Sequence, residues 1–200
     1  MKEVSCDPEG IALTLESLRH GGIVIFPTDT IYGIGCNPYN EESVDRIYKI
    51  KKRDRTKLLP VLGYSKKDLE KIVDFDDIAN KIIDRFWPGP LTLILPLKDD
   101  KLRKLSDHTN TLAVRVPNNH CVLSLLKECK LIIGTSANIS GDTPLIDLQS
   151  HNDIISECDV FLNGGSIENS NESTIIKVQD KKIRILREGV ISEKTIDEII

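Results

Sequence analysis

The 200-residue chain reads as an α/β protein built on a mixed sheet. Three observations predict that class. Short β-branched apolar runs, Ile23–Phe26 and Leu91–Leu97 among them, read as buried strands. Segments with apolar residues at helical spacing, such as Ile11, Leu15 and Leu18, alternate with those runs. Two late strands, Thr174–Val178 and Ile183–Leu186, are spaced as a hairpin, which brings antiparallel pairing into the sheet.

Taken in order, Asp7-Pro8-Glu9 is a helix start: a capping carboxylate, proline at the first helical position and an acid in the first turn. Gly21-Gly22 ends that helix. The strand Ile23–Phe26 should stop at Pro27, which has no N–H for a ladder. Thr28-Asp29-Thr30 then sets hydroxyls and a carboxylate at a strand's carboxyl end, where open α/β sheets bind ligands. Gly33 and Gly35 permit a turn or a close backbone approach. A second helix is expected from Asn40, with Val44 and Ile47 inward, running into Lys49–Arg53. Leu58–Leu62 reads as a strand, and Ser65-x-x-Asp68 resembles a capping box ahead of Leu69, Ile72 and Val73. Ile78, Ile82 and Phe86 give another helix face, closed by Trp87-Pro88-Gly89-Pro90. Further strands are expected at Thr111–Val116, Leu131–Ile133 and Val160–Leu162. Helices are expected near Asn119–Cys129, Asp147–Ser156 and Glu193–Ile200. No repeat, low-complexity tract or linker interrupts the chain, so one domain over 1–200 is expected.

A net charge of −4, with 40% hydrophobic and 29% charged residues, argues against a surface that coats nucleic acid, while leaving room for a local basic site. The amino terminus lacks an apolar signal core and the apolar runs are too short for a bilayer, so a cytoplasmic protein without membrane attachment is expected. Cys6, Cys36, Cys121, Cys129 and Cys158 are odd in number and contain no Cys-x-x-Cys pair. They are expected to be reduced thiols, neither disulfide-bonded nor metal ligands, and the four histidines lack metal-ligand spacing.

Five stretches carry candidate chemistry. From Lys49 to Lys57, six of nine residues are Lys or Arg; so dense a set of like charges reads either as a solvated helix end or as a site with an anion among them. The mixture of Arg forks and Lys point charges suits a polyphosphate. Gly134-Thr135-Ser136-Ala137-Asn138-Ile139-Ser140-Gly141 follows the strand Leu131–Ile133 and offers small hydroxyls and an amide either to phosphate, ribose or carboxylate or as capping and turn residues. Alternation places Thr111, Ala113 and Arg115 on one face, where the cation needs a partner. Ser173-Thr174-Ile175 and Arg187-Glu188-Gly189 complete the set. The Walker loop, the third glycine of a dinucleotide fingerprint and the Gly-x-Ser-x-Gly elbow are all missing.

Seven motifs in order, Pro27–Gly35, Lys51-x-Arg53, Trp87–Thr92, Val114–Pro117, Ser136-Ala137-Asn138-x-Ser140-Gly141, Ser173–Ile175 and Arg187-x-Gly189, resemble those of the YrdC-type threonylcarbamoyl-adenylate synthases over about residues 10–190. The resemblance implies a twisted, open mixed sheet with flanking helices and a concave basic cavity, in the single-domain form of the family. It also implies condensation of L-threonine, bicarbonate and ATP to L-threonylcarbamoyl-AMP and pyrophosphate. The product would pass to a separate tRNA threonylcarbamoyl transferase, and direct tRNA contact is left open. Residue by residue, it implies Lys51, Arg53, Ser136 and Asn138 as the catalytic set. It implies Thr30, Arg115, Ser136 and Ser173 at threonine, and Arg53, Lys57, Thr111, Asn138 and Arg187 at ATP. Magnesium is expected to accompany ATP, without a carboxylate cage for it. The chain departs from the pattern at Asp54, at Leu58 and at Leu62, where some members have Pro, Pro and His. Two other functions fit such a fold: an RNA-binding module, disfavoured by 4% aromatic content, and a carbamoyl-adenylate-forming relative, disfavoured by the missing Cys-x-x-Cys pairs.

Overall fold

The computed structural model describes residues 1–143, 145–147, 153–167, 171–179 and 182–198. In chain order the elements are β1 (Lys2–Ser5), α1 (Pro8–Arg19), β2 (Val24–Phe26), β3 (Gly33–Gly35), α2 (Glu41–Ile50), β4 (Val61–Gly63), α3 (Lys66–Leu69) and α4 (Asp77–Phe86). Then come β5 (Leu91–Pro96), β6 (Thr111–Arg115), α5 (His120–Cys129), β7 (Leu131–Ile133), β8 (Thr135–Ser136), β9 (Val160–Asn163), β10 (Thr174–Gln179), β11 (Lys182–Arg187) and α6 (Glu193–Asp197). Helix starts follow capping chemistry: the carboxylates of Asp7 and Asp76 and the amide oxygen of Asn40 accept from Gly10 N, Ala79 N and Ser43 N at 2.8, 2.8 and 3.0 Å.

The mixed sheet is in fact two mixed sheets. The first has the order β1-β9-β2-β3-β8, and the second β11-β10-β5-β6-β4-β7. Each combines parallel pairs, β1 with β9 and β10 with β5, and antiparallel ones, β2 with β3 and β5 with β6. The chain crosses between them at Gly134, which alone separates β7, on one edge, from β8, on the other. There Gly134 N donates to Pro60 O and Ile133 N to Cys36 O, both at 2.9 Å. A Cβ on Gly35 would stand 1.7 Å from Ile133 O, so only glycine lets the strands approach this closely.

The strand β2 is buried on both faces. Ile23 and Ile25 join the larger apolar cluster, whereas Val24 and Phe26 join a second cluster beneath α1 and α5. That two-residue alternation is the reason the run is apolar throughout. The expected strands and hairpin are present, with a bulge between Ile175 and Ile176.

Several expectations change. Gly33–Gly35 forms a strand, because Phe26 covers Gly33 and Ile133 covers Gly35, leaving no room for side chains in the pairing. Strands β1 and β8 escape a periodicity search, one being mostly polar and the other two residues long. The strand expected at Leu58–Leu62 begins only at Val61 and runs to Gly63. Ser65 Oγ bonds Asp68 Oδ2 at 2.7 Å and does not cap the backbone. Of the helix expected at Asp147–Ser156, residues 148–152 lie outside the described residues and Asp153–Ile155 is one 3₁₀ turn. Residues 199 and 200 likewise lie outside them, and α6 ends at Asp197.

The cysteine expectation is also corrected. Cys6 and Cys121, with Cα atoms 5.7 Å apart, are disulfide-bonded, while Cys36, Cys129 and Cys158 are free. Motif spacing fails here because the pair is brought together by the packing of α1, which follows Cys6, against α5 across 115 residues. Among the described residues no helix is long and apolar enough to cross a membrane.

Candidate active site

Five adjacent strands of the second sheet, β11-β10-β5-β6-β4, contribute to the wall of a cavity of about 670 Å³, β4 through Leu62. Alternate residues supply it: Ile175 and Lys177 from β10, Arg184 and Leu186 from β11, Thr92 and Ile94 from β5, Ala113 and Arg115 from β6. The loop after β2, the segment 53–60 and the Gly134–Ser136 crossing close its other sides.

The loop after β2 is organised by Thr28. Its Oγ1 accepts from the amides of Thr30 and Ile31 at 3.1 and 3.2 Å and donates to Ile31 O at 2.6 Å, a turn stabilised by its own side chain. The turn holds Thr30 and Asp29 against Arg115, whose side chain is buried. Arg115 Nη2 donates to Asp29 Oδ1 at 2.6 Å, Nη1 to Thr30 Oγ1 at 3.2 Å and Nε to Gly89 O at 2.9 Å. Three of the five guanidinium N–H groups are thereby committed, and two remain for a ligand. Burial lowers the Arg115 pKa, opposed by Asp29 and reinforced by the Arg187 charge. Asp29 Oδ1 also accepts from Asn118 N at 3.0 Å, whereas its Oδ2 is buried without a partner.

Lys51 takes an unexpected position. It terminates α2 fully buried, and its ammonium donates to Ser136 O, to Asn138 O at 2.7 Å and to Asn138 Oδ1 at 3.2 Å. Asn138 Nδ2 in turn donates to Asp142 O at 2.6 Å, and Ser140 N to Lys51 O at 2.9 Å. All three ammonium protons are spent on the loop that carries Ser136. Burial, then the nearby Arg53 charge, draws the Lys51 pKa down to about 7, while the three oxygens favour the charged form.

The cavity wall carries Arg53, Arg115, Lys177, Arg184 and Arg187 against two acids, Asp107 and Glu172. Both acids are paired. Glu172 binds Arg187 at 2.5 Å, and Asp107 lies 3.5 Å from Lys177. Burial would raise the Asp107 pKa, but Thr109, Thr111 and Lys177 hold it at about 2. Arg187 also donates to Ser173 O through Nε at 3.1 Å and Nη2 at 2.8 Å, while Ser173 Oγ lies 2.9 Å from Thr92 Oγ1. Arg53 Nη2 braces Leu58 O at 2.9 Å. Its pKa is lowered by burial, with the Arg187 charge adding to that.

Of the residues singled out in sequence, Thr30, Arg53, Arg115, Ser136, Ser173 and Arg187 line this one cavity. Lys51, Lys57, Thr111 and Asn138 are not among the lining residues. Lys51 and Asn138 stand behind Ser136, Thr111 is buried against Asp107, with its amide donating at 3.0 Å, and Lys57 is exposed. Thr28, flagged in sequence with Asp29 and Thr30, lines the cavity too, whereas sequence reasoning missed Asp107, Thr109, Glu172, Lys177 and Arg184. The alternation Ile175–Lys177 and Arg184–Leu186 was the available signal, masked because basic residues on late strands ordinarily face solvent. Of the three departures, Leu62 lines the cavity, with Gly134 pressed against it, while exposed Asp54 accepts from Thr56 N at 2.8 Å. Among the described residues, one cluster of potential metal ligands occurs, Cys6, His120 and Cys121, outside this cavity.

With the site described, its kinship can be placed. Residues 16–189 match the Sua5/YciO/YrdC family model, described as "Telomere recombination". The chain is 37% identical over 182 residues to a putative threonylcarbamoyl-AMP synthase of Methanocaldococcus jannaschii, covering 88% of this chain and 84% of that protein. It is 34% identical over 202 residues to the threonylcarbamoyl-AMP synthase of Bacillus subtilis, covering 99% of this chain and 58% of that one. The crystal structure of Pyrococcus abyssi Sua5 complexed with L-threonine superimposes with a TM-score of 0.90 at 30% identity, over 100% of this chain and 60% of the longer one. The chain thus spans 60% of the length of that solved relative. Escherichia coli YciO shares the fold, with a TM-score of 0.86 at 23% identity and 98% of each chain covered. On these matches the chain belongs to the Sua5/YciO/YrdC family.

Proposed function

We propose that this chain condenses L-threonine, bicarbonate and ATP into L-threonylcarbamoyl-AMP and pyrophosphate, as a cytoplasmic nucleotidyltransferase that supplies a separate tRNA threonylcarbamoyl transferase. The observation that carries this is the buried Arg115, fixed by Asp29, Thr30 and Gly89 with two N–H groups left over, at one end of a wall of further cations. The relatives' activity and the threonine held by Pyrococcus abyssi Sua5 support it.

In this account the threonine amine adds to carbon dioxide derived from bicarbonate and forms a carbamate. A carbamate oxygen then attacks the α-phosphorus of ATP, and pyrophosphate leaves. Arg115 receives the threonine carboxylate, with Thr30, Ser136 and Ser173 offering hydroxyls to the small polar substrate. Arg53 and Arg187, with Lys177 and Arg184 on the same wall, offset charge that grows on the phosphates. Lys51 and Asn138 act one step back, by fixing the backbone of Ser136. No protein nucleophile is needed, and rate enhancement comes from positioning and electrostatics.

Magnesium is proposed only as the ion ATP brings with it. Among the described residues, the two carboxylates that line the cavity are already bound to Lys177 and Arg187, and no step here runs through a protein-held metal. The test is mass spectrometry of the product formed from ¹³C-bicarbonate. Threonylcarbamoyl-AMP carrying one ¹³C is expected. Unlabelled carbamoyl product, or none, would contradict the function.

A further inference from the structure

We propose that Cys6 and Cys121, with His120 between them, form a reversible dithiol–disulfide site whose state is transmitted to the loop bearing Thr28, Asp29 and Thr30. Disulfides are rare in cytoplasmic proteins, and those that occur there are typically transient or redox-sensing. The bridge joins the end of β1 to the first turn of α5, at the surface on one side and buried on the other. Cys6 is partly exposed, Cys121 is fully buried, and His120 is exposed with its Nε2 3.4 Å from each sulfur.

That asymmetry sets the chemistry. A small external thiolate attacks Cys6 Sγ, the Cys6–Cys121 bond breaks as the new mixed disulfide forms, and the electron pair leaves on Cys121 Sγ. A second thiolate then attacks the outer sulfur and releases the small disulfide together with the Cys6 thiolate. Two electrons enter the protein and two small thiols are oxidised. Cys121 is the second residue of the ten-residue α5, whose N-terminal dipole favours a thiolate, and the His120 ring lies 3.4 Å from its sulfur.

The connection to the cavity is continuous. The residues just before His120 touch the ligand loop: Asn118 N donates to Asp29 Oδ1 at 3.0 Å, and Asn119, which caps α5, donates from Nδ2 to Thr28 O at 3.4 Å. Behind them, a Cβ on Gly164 would stand 3.2 Å from Cys121 Sγ and 2.6 Å from Pro27 Cγ, so the bridge and the residue before Thr28 both close in on the same side of one glycine. On the other side Cys6 N donates to Asn163 O at 3.0 Å. Opening the bridge therefore frees the first turn of α5, and with it one of the two hydrogen bonds that fix Asp29 Oδ1.

The test equilibrates the full chain in glutathione buffers from reducing to oxidising and counts alkylated thiols by mass. Three thiols are expected in the oxidised chain and all five in the reduced one. Hydrogen–deuterium exchange of peptides spanning 27–32 and 116–123 should quicken on reduction. Resting on the function proposed above, threonine affinity should fall about 5-fold or more in the reduced chain, the lower end of ordinary allosteric coupling. Cys6→Ser and Cys121→Ser, with four thiols each, should match the reduced chain in exchange and threonine affinity in every buffer, and His120→Ala should slow reduction. Five thiols in every buffer, or a bridge that opens without changing exchange or affinity, would overturn the proposal. So would a reduced chain that takes up one zinc ion and resists reoxidation, which would assign a metal site instead. If exchange follows the bridge while threonine binds in neither state, the switch stands and the synthase function fails.

Discussion

Lys51 Nζ donates to both oxygens of Asn138, the main-chain carbonyl at 2.7 Å and the side-chain Oδ1 at 3.2 Å. A lysine in a basic run is thus turned inward, away from the cavity that its neighbour Arg53 lines. The geometry gives the run two tasks, and the first three predictions separate them.

Lys51→Ala removes a buried ammonium and leaves the carbonyl oxygens of Ser136 and Asn138 without their donor. Each orphaned acceptor costs about 1–3 kcal/mol, so the variant should melt at a clearly lower temperature and lose activity together. Lys49 is exposed two positions earlier. Lys49→Ala should change stability by less than about 0.5 kcal/mol and leave turnover alone. Calorimetry and turnover on both variants check this. Unchanged melting of Lys51→Ala would return Lys51 to the role of a solvent-facing phosphate contact.

Arg53→Ala should behave in the opposite way. Arg53 braces only Leu58 O and, at 3.4 Å, Lys57 O, so little stability is at stake. If it faces growing phosphate charge, turnover should fall on the order of 10²–10³. Near-normal turnover would show that the guanidinium serves only to brace segment 53–58.

The pH dependence carries its own sign. Folded Lys51 releases its proton near pH 7, whereas the unfolded chain holds it to the ordinary 10.5. Between those values the unfolded state binds more protons, so stability contributed at this position rises with pH. The unfolding free energy of the native chain should therefore gain on that of Lys51→Met from pH 7 to 9.5, by at most about 1.4 kcal/mol per pH unit. A flat or falling difference in urea titrations would mean that the three oxygens keep the ammonium charged.

How much of this was legible in the sequence depends on the range of the interaction. Helix starts at Asp7 and Asn40 were readable because a cap is settled within four residues. The strand β2 was readable because burial on both faces demands an unbroken apolar run. The division into two sheets was not, since it depends on Gly35 meeting Ile133 from a distant part of the chain. Arg115 was identifiable as a cation needing a partner on a buried face, but Asp29 as that partner was not. Lys51 was read by its charge, yet its direction was fixed by the hydrogen-bonding capacity of a loop eighty-five residues away. Cys6 and Cys121 fall in the same class: identity was local and pairing was not.

Gly35 gives the sharpest structural prediction. An alanine Cβ there would stand only 1.7 Å from Ile133 O, a backbone atom with no flexible side chain to yield, so Gly35→Ala must part β3 from β7. A loss exceeding about 3 kcal/mol is expected, in the range of overpacking and backbone strain combined. A denaturant midpoint within error of the native chain would contradict the close approach of the two sheets.

Arg115 holds the central claim, because it joins the Thr28–Thr30 loop to the proposed threonine carboxylate. The decisive measurement is pyrophosphate release from ATP, with L-threonine and bicarbonate supplied separately and together, for the native chain and for Arg115→Lys. Lysine keeps the charge beside Asp29 but cannot reproduce the planar fork. The native chain should release pyrophosphate only when both co-substrates are present. Arg115→Lys should need about 10- to 150-fold more threonine, the loss of one charge-assisted hydrogen bond, with its ATP requirement nearly unchanged. Release without threonine, or a variant whose ATP requirement alone rises, would contradict the account.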